Sequence, residues 1–212
     1  MRLPKIRELG EAIKALSKGP YTVRFPQEPH VPYPSFRGLP KFNQERCVGC
    51  LACEQVCPAE AIAHRDIIEE TPEGKKRGKR ILFHYTDTCI FCGQCEAACI
   101  ADHEGIKSSK EWDLAFFDRT QAYATIEKEL ELCESCGATI GCTDHLAWVS
   151  ERVGELSYGN PTLYLSRHKQ LGLLADDNLG TPNERKHSDR FKILYARCRR
   201  ETALTTKEEK RF

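Results

Sequence analysis

Eight of the twelve cysteines in this 212-residue sequence fall into two runs with the same internal spacing. Each run reads C-x2-C-x2-C-x3-C, and the cysteines are Cys47, Cys50, Cys53 and Cys57 in the first run and Cys89, Cys92, Cys95 and Cys99 in the second. Thiolates are soft, strong donors for iron, and this close spacing lets three of them bind three corners of one cubane from a single loop. The two runs therefore predict two 4Fe-4S clusters.

The fourth cysteine in runs of this type binds the neighbouring cluster. We therefore assign Cys47, Cys50, Cys53 and Cys99 to one cluster, and Cys89, Cys92, Cys95 and Cys57 to the other. No histidine or aspartate replaces a cysteine in either set, so both clusters should be fully ligated and closed to substrate. This pattern favours electron transfer, and we predict no catalytic residue in the chain.

The residues between the cysteines fit this interpretation, with one departure. Gly49, Ala52 and Gly93 are small and should make room for the clusters. Proline follows the first run at Pro58, whereas Ile100 follows the second run, so the rigid residue that directs the fourth thiolate is missing there. We expect this difference to be tolerated because the ligand itself remains.

The four remaining cysteines form a second candidate metal site. Cys133 and Cys136 have the C-x2-C spacing of a metal knuckle, and the other two are Cys142 and Cys198. Four thiolates suit a tetrahedral site for zinc or a single iron. Three alternatives stay open: His145 replaces Cys198, the thiols bind no metal, or two of them form a redox-active dithiol.

The other histidines follow no ligand or catalytic spacing, and they are His30, His64, His84, His103, His168 and His187. The sequence also contains no phosphate-binding loop, dinucleotide glycine motif or activated nucleophile. These absences agree with a protein that transfers electrons and has no active site of its own.

The elements before the clusters indicate docking. Residues 5–18 place Ile6, Leu9, Ile13 and Leu16 on one helical face, and six prolines between Pro20 and Pro40 predict an extended arm. The apolar face could lie on a membrane surface, on a partner subunit or on the chain's own core. We expect residues 1–41 to form an amphipathic helix and a proline-rich docking arm.

The cluster domain should span residues 42–117 as an α+β ferredoxin core of duplicated βαβ-like halves. Each cysteine of the second run lies 42 residues after its counterpart, and the segments 61–68 and 80–85 are strand-like around a turn at 71–79. The remaining residues, 118–212, should form a mainly helical or irregular extension. There we expect a helix from Asp118 to Leu132, a second at 161–174, and a disordered charged tail from Arg199.

The composition excludes several classes of protein. The formal net charge is +1, which argues against a protein that mainly binds nucleic acid. No export signal and no run of about 18 apolar residues is evident. Twelve cysteines in a reducing cytoplasm are better explained as metal ligands than as disulfides.

Residues 20–118 resemble the two-cluster ferredoxin-like subunits of respiratory complex I and of membrane-bound nickel-iron hydrogenases. The resemblance rests on the stretch YTVRFP, on Phe36-Arg37-Gly38, and on ERCVGCLACEQVCPAEAIA followed by DTCIFCGQCEAAC. The segment KEWDLAFFDR and the cysteines near the C-terminus are most similar to the formate hydrogenlyase-type subunits. The resemblance implies a relay subunit on the cytoplasmic, peripheral side of a membrane complex, with neighbouring subunits on either side of the relay and residues 1–40 against the membrane or its subunits.

Two other functions remain open at this point. A free, soluble ferredoxin would carry electrons between several enzymes, although it would need little beyond residues 42–106. A scaffold subunit would use its metal sites only to hold the chain together. Reversible reduction of the clusters separates the relay from the scaffold.

Overall fold

The computed structural model describes residues 6–72, 76–174 and 192–208, which fall into two compact units, residues 1–36 and 37–212. The first unit contains helix α1, Ile6–Lys18, where the sequence predicts a helix. None of its residues is buried, and Ile6 and Leu16 are 91% and 85% exposed. Among the described helices, none has the length and apolar character that a bilayer crossing requires.

The second unit is built on a four-stranded antiparallel sheet. Its strands, in their order across the sheet, are β2 (Ile62–Glu70), β3 (Lys76–Tyr85), β5 (Tyr123–Leu132) and β6 (Thr139–Cys142). Strands β2 and β3 form the expected hairpin, paired from Ile62 with His84 to Glu70 with Lys76. Residues 73–75 of the predicted turn lie outside the described residues.

A smaller sheet and two short helices complete the region that carries the cysteine runs. Strand β1 (Pro40–Phe42) pairs with β4 (Ile106–Ser108), and each run continues into a four-residue helix, α2 (Ala52–Gln55) or α3 (Gln94–Ala97). The two helices lie 42 residues apart, as the cysteines do. The core between the runs and the large sheet is formed by Cys53, Ile62, Leu82, Cys95, Ile106 and Ile126.

The predicted helix between Asp118 and Leu132 is wrong. Asp118 caps only a short 3-10 turn, Arg119–Gln121, and the chain then continues as strand β5. Glu, Lys and Leu favour helices, but pairing with β3 places alternate residues of this segment in the core, and Ile126 and Leu130 are 3% and 7% exposed. The expected domain boundary near residue 118 is therefore crossed by the central sheet.

The described residues after β6 are mainly helical. It contains α4 (Thr143–Val153), α5 (Pro161–Gln170) and α6 (Ala196–Glu208). Helix α5 matches the helix expected at 161–174, and Asn160 caps it by accepting from the backbone N–H groups of Thr162 and Leu163. The expectation of no structure from Arg199 is wrong for the described part of the tail, because α6 buries Cys198 and Thr202. Residues 209–212 lie outside the described residues.

Candidate iron–sulfur sites

Two cavities of nearly equal volume lie beside the cysteine runs. One has about 320 Å³ of free space, including the open solvent at its mouth, and the cysteines in its wall are Cys47, Cys50, Cys53 and Cys99. The other has about 330 Å³ on the same measure, and the cysteines in its wall are Cys57, Cys89, Cys92 and Cys95. We call them cavity 1 and cavity 2. Each contains one of the sets assigned from spacing, including the fourth cysteine from the opposite run.

The two runs wrap their cavities with the same backbone conformation. Gly49 and Leu51 have φ angles of 72° and 68°, and the residues 42 positions later, Phe91 and Gly93, have φ angles of 54° and 78°. All four lie in the left-handed region, which turns the chain sharply. Each run thus has one glycine and one larger residue at its two left-handed positions. At each position, one of the two runs carries a side chain, so the backbone conformation there does not require glycine.

The turn that leads into the fourth cysteine is the same in both runs despite the missing proline. The backbone N–H of Cys57 donates to the carbonyl oxygen of Glu54 at 3.2 Å, and that of Cys99 donates to Glu96 at 3.2 Å. Hydrogen bonding within the last turn therefore sets the direction of the chain at both fourth cysteines. Ile100 is compatible with the same turn as Pro58.

Burial disfavours ionisation of five of the thiols in the cavities. Burial raises the pKa of Cys53 to about 12 and that of Cys95 to about 11, and it also raises the pKa of Cys47, Cys50 and Cys89. A bound metal ion reverses this effect, because a coordinating thiol loses its proton outright. Soft donors in these apolar-walled cavities therefore fit iron–sulfur clusters.

Two buried cations that no sequence motif predicts flank cavity 1. Arg80, 9% exposed, binds Asp66 through two hydrogen bonds of 2.7 and 2.8 Å and donates to the carbonyl oxygen of Gly49 at 3.1 Å. Lys128, 7% exposed, lies 2.9 Å from Asp144. Their positive charges favour ionisation of Cys50 and Cys47, respectively, and so oppose the effect of burial on the pKa of these thiols.

Cavity 2 contains a histidine that follows no ligand or catalytic spacing in the sequence. His84 lines this cavity together with the four cysteines, is 1% exposed, and has no hydrogen-bond partner for either ring nitrogen among the described residues. An unpaired buried polar group costs about 1–3 kcal/mol. The cavity contents are the remaining source of a partner, which agrees with a site for sulfur-rich cofactors. The burial of Arg80 and His84 has one sign in the sequence. Side chains of a strand alternate between its two faces, and Arg80, Leu82 and His84 occupy successive buried positions of β3.

Three of the four remaining cysteines come together. The sulfur atoms of Cys133, Cys136 and Cys198 all lie within 4.8 Å of one another. Sulfurs around a tetrahedral zinc ion lie about 3.8 Å apart, given Zn–S bonds of about 2.3 Å. The structure therefore brings these three thiols close to the spacing of a metal site, with one thiol from helix α6.

The backbone around Cys133 supports the thiolate form. Burial opposes ionisation of this thiol, but the backbone N–H groups of Tyr195, Cys136 and Ser135 donate to its sulfur and hold its pKa below the ordinary value. The distance from the N atom of Tyr195 is 3.3 Å. Such donors help to form a metal knuckle, because they compensate charge on the ligand.

Cys142 lies apart from this group, contrary to the expected set of four. Cys142 pairs with Leu130 on β5, three residues before Cys133, and strands rise about 3.4 Å per residue, which separates the two cysteines by about 10 Å. Its buried Sγ instead lies 3.5 Å from the carbonyl oxygen of Gly49. His145, the alternative ligand, is also outside the group, and its ring centroid is 6.4 Å from that of Trp148.

Comparisons with known proteins identify the domain that carries the two runs. The model of the 4Fe-4S dicluster domain family matches residues 46–103. The chain is 33% identical over 137 residues to NADH-quinone oxidoreductase subunit I 2 of Geobacter metallireducens, which covers 62% of this chain and 99% of that protein. This region therefore has the mixed helix and sheet architecture of a ferredoxin-like 4Fe-4S domain.

Other relatives match shorter stretches. NAD(P)H-quinone oxidoreductase subunit I of Gloeobacter violaceus is 29% identical over 112 residues, covering 52% of this chain and 51% of that protein. Formate hydrogenlyase subunit 6 of Escherichia coli is 39% identical over 49 residues, covering 23% of this chain and 27% of that protein. Because this chain spans almost the whole of the Geobacter relative, it belongs to the family of iron–sulfur subunits that includes NADH-quinone oxidoreductase subunit I, within the complex I and hydrogenase superfamily.

Proposed function

We propose that this chain relays electrons through two 4Fe-4S clusters as a subunit of a membrane-associated hydrogenase or complex I-like oxidoreductase. The observation that carries the proposal is the pair of cavities, each lined by four cysteines drawn from both runs. When bound, the clusters supply reversible one-electron transfer. Cys47, Cys50, Cys53 and Cys99 would hold one of them, and Cys89, Cys92, Cys95 and Cys57 the other.

The chain's own residues keep the two sites dry and fix their separation. Leu51, Leu82 and Ile106 line cavity 1, while Ile62 and Ile90 line cavity 2, and apolar walls exclude water. Each run contributes ligands to both sites, so the two sites cannot move apart without breaking a metal–sulfur bond. The matched backbone of the two runs supports a duplicated ferredoxin core.

Redox titration of the anaerobically purified protein, followed by EPR, tests this function. We expect about eight irons in 4Fe-4S form and two signals that broaden each other when both clusters are reduced. Clusters that never reduce reversibly would favour the scaffold function instead.

Serine substitutions test the exchange of the fourth ligand. Cys57→Ser, in the first run, should alter the same EPR signal as Cys92→Ser in the second run. Cys99→Ser should correspondingly alter the same signal as Cys50→Ser. If Cys57→Ser alters the signal that Cys50→Ser alters, each run holds its own cluster and the assignment fails.

Residues 1–40 are proposed to dock this subunit on membrane subunits or on the cytoplasmic membrane surface. The apolar face of α1 supports this placement, since Ile13 and Leu16 are 61% and 85% exposed. A free ferredoxin has no need of such a surface. Ile13→Lys should release the chain into the soluble fraction after cell breakage. Ala15→Lys, which lies 200° around the helix from Ile13, should leave the chain with the membranes. Equal behaviour of the two variants would contradict docking through this face.

Cys133, Cys136 and Cys198 are proposed to bind one zinc or iron ion, and a water molecule or a further side chain completes the tetrahedron. The close approach of their sulfurs supports this set. Such an ion would join α6 to the end of β5. Metal analysis should find one zinc, or one iron beyond those of the clusters.

Two alanine variants separate this set from the four cysteines expected from the sequence. Cys198→Ala should lose the additional metal, while Cys142→Ala should retain it. Loss of the metal in both variants would restore Cys142 as a ligand. Retention in both would exclude Cys198.

A further inference from the structure

Strand β3 presents different chemistry to the two cavities. Leu82 and His84 are two residues apart, so both point to the same buried face of the strand. Leu82 lines cavity 1, and His84 lines cavity 2. Among the described residues that line either cavity, His84 is the only histidine. One cavity thus has an aliphatic wall at this position and the other has an imidazole.

The protein around His84 is apolar. In the sheet, His84 lies between Ile62 on β2 and Ala124 on β5. The ring of Phe42 packs edge-on against the imidazole, with the centroids 6.3 Å apart. Neither ring nitrogen has a hydrogen-bond partner among the described residues. Nothing in these neighbours explains why a polar ring occupies this position.

A neutral imidazole always carries one N–H donor, and buried donors are almost always paired. Burial lowers the pKa of His84, which favours this neutral form. In a cavity walled by Cys57, Cys89, Cys92 and Cys95, the available acceptors are sulfur atoms. Hydrogen bonds to the sulfurs are one of the factors that set the reduction potential of an iron–sulfur cluster.

We propose that His84 donates a hydrogen bond to a sulfur atom at the cluster site of cavity 2 and thereby raises the reduction potential of that cluster. Reduction adds negative charge, which an N–H dipole directed at the sulfur stabilises. Leu82 provides no such donor to cavity 1. His84 is a tuning residue that distinguishes the two relay positions, and this role rests on the proposed binding of a cluster in cavity 2.

Redox potentiometry with EPR on the complete protein tests this role. His84→Leu, which places the side chain of the cavity 1 position in cavity 2, should lower the potential of one cluster only. We expect a change of about tenfold in the reduction equilibrium, equivalent to 59 mV for a one-electron couple. His84→Gln retains an N–H donor and should recover part of the shift. Leu82→Met, a matched apolar change in cavity 1, should leave the cavity 2 potential unchanged.

A second measurement needs no variant. Pulsed EPR of the reduced wild-type protein labelled with ¹⁵N-histidine should show hyperfine coupling between a ring nitrogen and one cluster. If His84→Leu fails to assemble its cluster, this measurement alone decides the question. Absence of the coupling overturns the proposal, as does an unchanged potential in His84→Leu with both clusters present. Failure of the proposed function differs from both results, because the wild-type protein would then lack the iron of a cluster or show no EPR signal from a reversibly reduced cluster in which the coupling could be sought.

Discussion

The contact between Gly49 and Cys142 provides a sharp test of how the C-terminal extension supports the cluster loops. A Cβ atom at Gly49 would lie 2.5 Å from the Sγ of Cys142 and 3.2 Å from its Cβ. Gly49 therefore makes room for a side chain from β6 as well as giving the loop its left-handed turn. Gly49→Ala should destabilise the protein through both effects.

The size of the effect follows from these two contributions. A left-handed conformation costs an L-residue about 1–2 kcal/mol, and Leu51 and Phe91 show that these loops accept that cost. Overpacking a buried contact costs about 1–3 kcal/mol. Gly49→Ala should therefore lower the stability of the native protein by about 2–5 kcal/mol.

Removal of the Cys142 sulfur should relieve the overpacking that Gly49→Ala introduces. Cys142→Ala alone should cost about 1 kcal/mol, as expected when one buried heavy atom is deleted. In the Gly49→Ala background the same change should instead stabilise the protein, because the 2.5 Å contact disappears. The two substitutions should thus be non-additive, with a coupling of about 1–3 kcal/mol.

Cluster loss at a fixed guanidinium concentration is a suitable measurement, since unfolding of a cluster protein is not a simple two-state equilibrium. A destabilisation of about 2 kcal/mol accelerates cluster loss about 30-fold if the contact between residue 49 and Cys142 is already broken in the transition state for unfolding. Gly93→Ala is the control, because Gly93 has the same left-handed turn but lies in the wall of cavity 2, and the protein side chain nearest to its Cβ would be the flexible Arg37 at 3.2 Å, not Cys142. Additive effects of Gly49→Ala and Cys142→Ala, or rescue of Gly93→Ala by Cys142→Ala, would refute the reasoning.

Two further predictions concern ion pairs in the same unit. Lys169→Met should accelerate cluster loss and lower the stability of the native protein by about 3 kcal/mol. The reason is that Lys169 lies 2.7 Å from the Glu131 carboxylate, which is only 4% exposed and would be left unpaired. If adding Glu131→Gln to this variant brings no recovery, an unpaired charge is not the cause. Hydrogen bonds from Arg80 hold the pKa of Asp66 below its usual range in the folded protein. The stability that this carboxylate contributes is therefore fully present above its unfolded pKa of about 3.9. That stability is lost as the pH falls through the lower pKa of the folded state. Between pH 5 and 3, Asp66→Asn should therefore show less acid acceleration of cluster loss than the wild-type protein, and identical pH profiles would count against this linkage.

Some elements were predictable because their cause is local. Apolar residues at helical spacing predicted α1, and strand-like segments around a glycine-containing turn predicted β2 and β3. Strand β5 was not predicted, because its Glu, Lys and Leu residues have high helix propensity. Pairing with β3, which the local sequence does not show, makes this segment a strand. The order in α6 was also missed, because it depends on the burial of Cys198 and Thr202 against distant segments.

The candidate sites divide in the same way. Cysteine spacing was sufficient to predict which four cysteines line each cavity, because three cysteines of each set belong to one short loop whose geometry depends on neighbouring residues. Only the tertiary structure separated Cys142 from Cys133, since strand pairing sets the distance between them. Only the tertiary structure placed Arg80 and Lys128 beside cavity 1 and His84 in cavity 2. These side chains reach the cysteines from strands far away in the sequence, and contacts of that kind are determined by how the sheet packs against the loops.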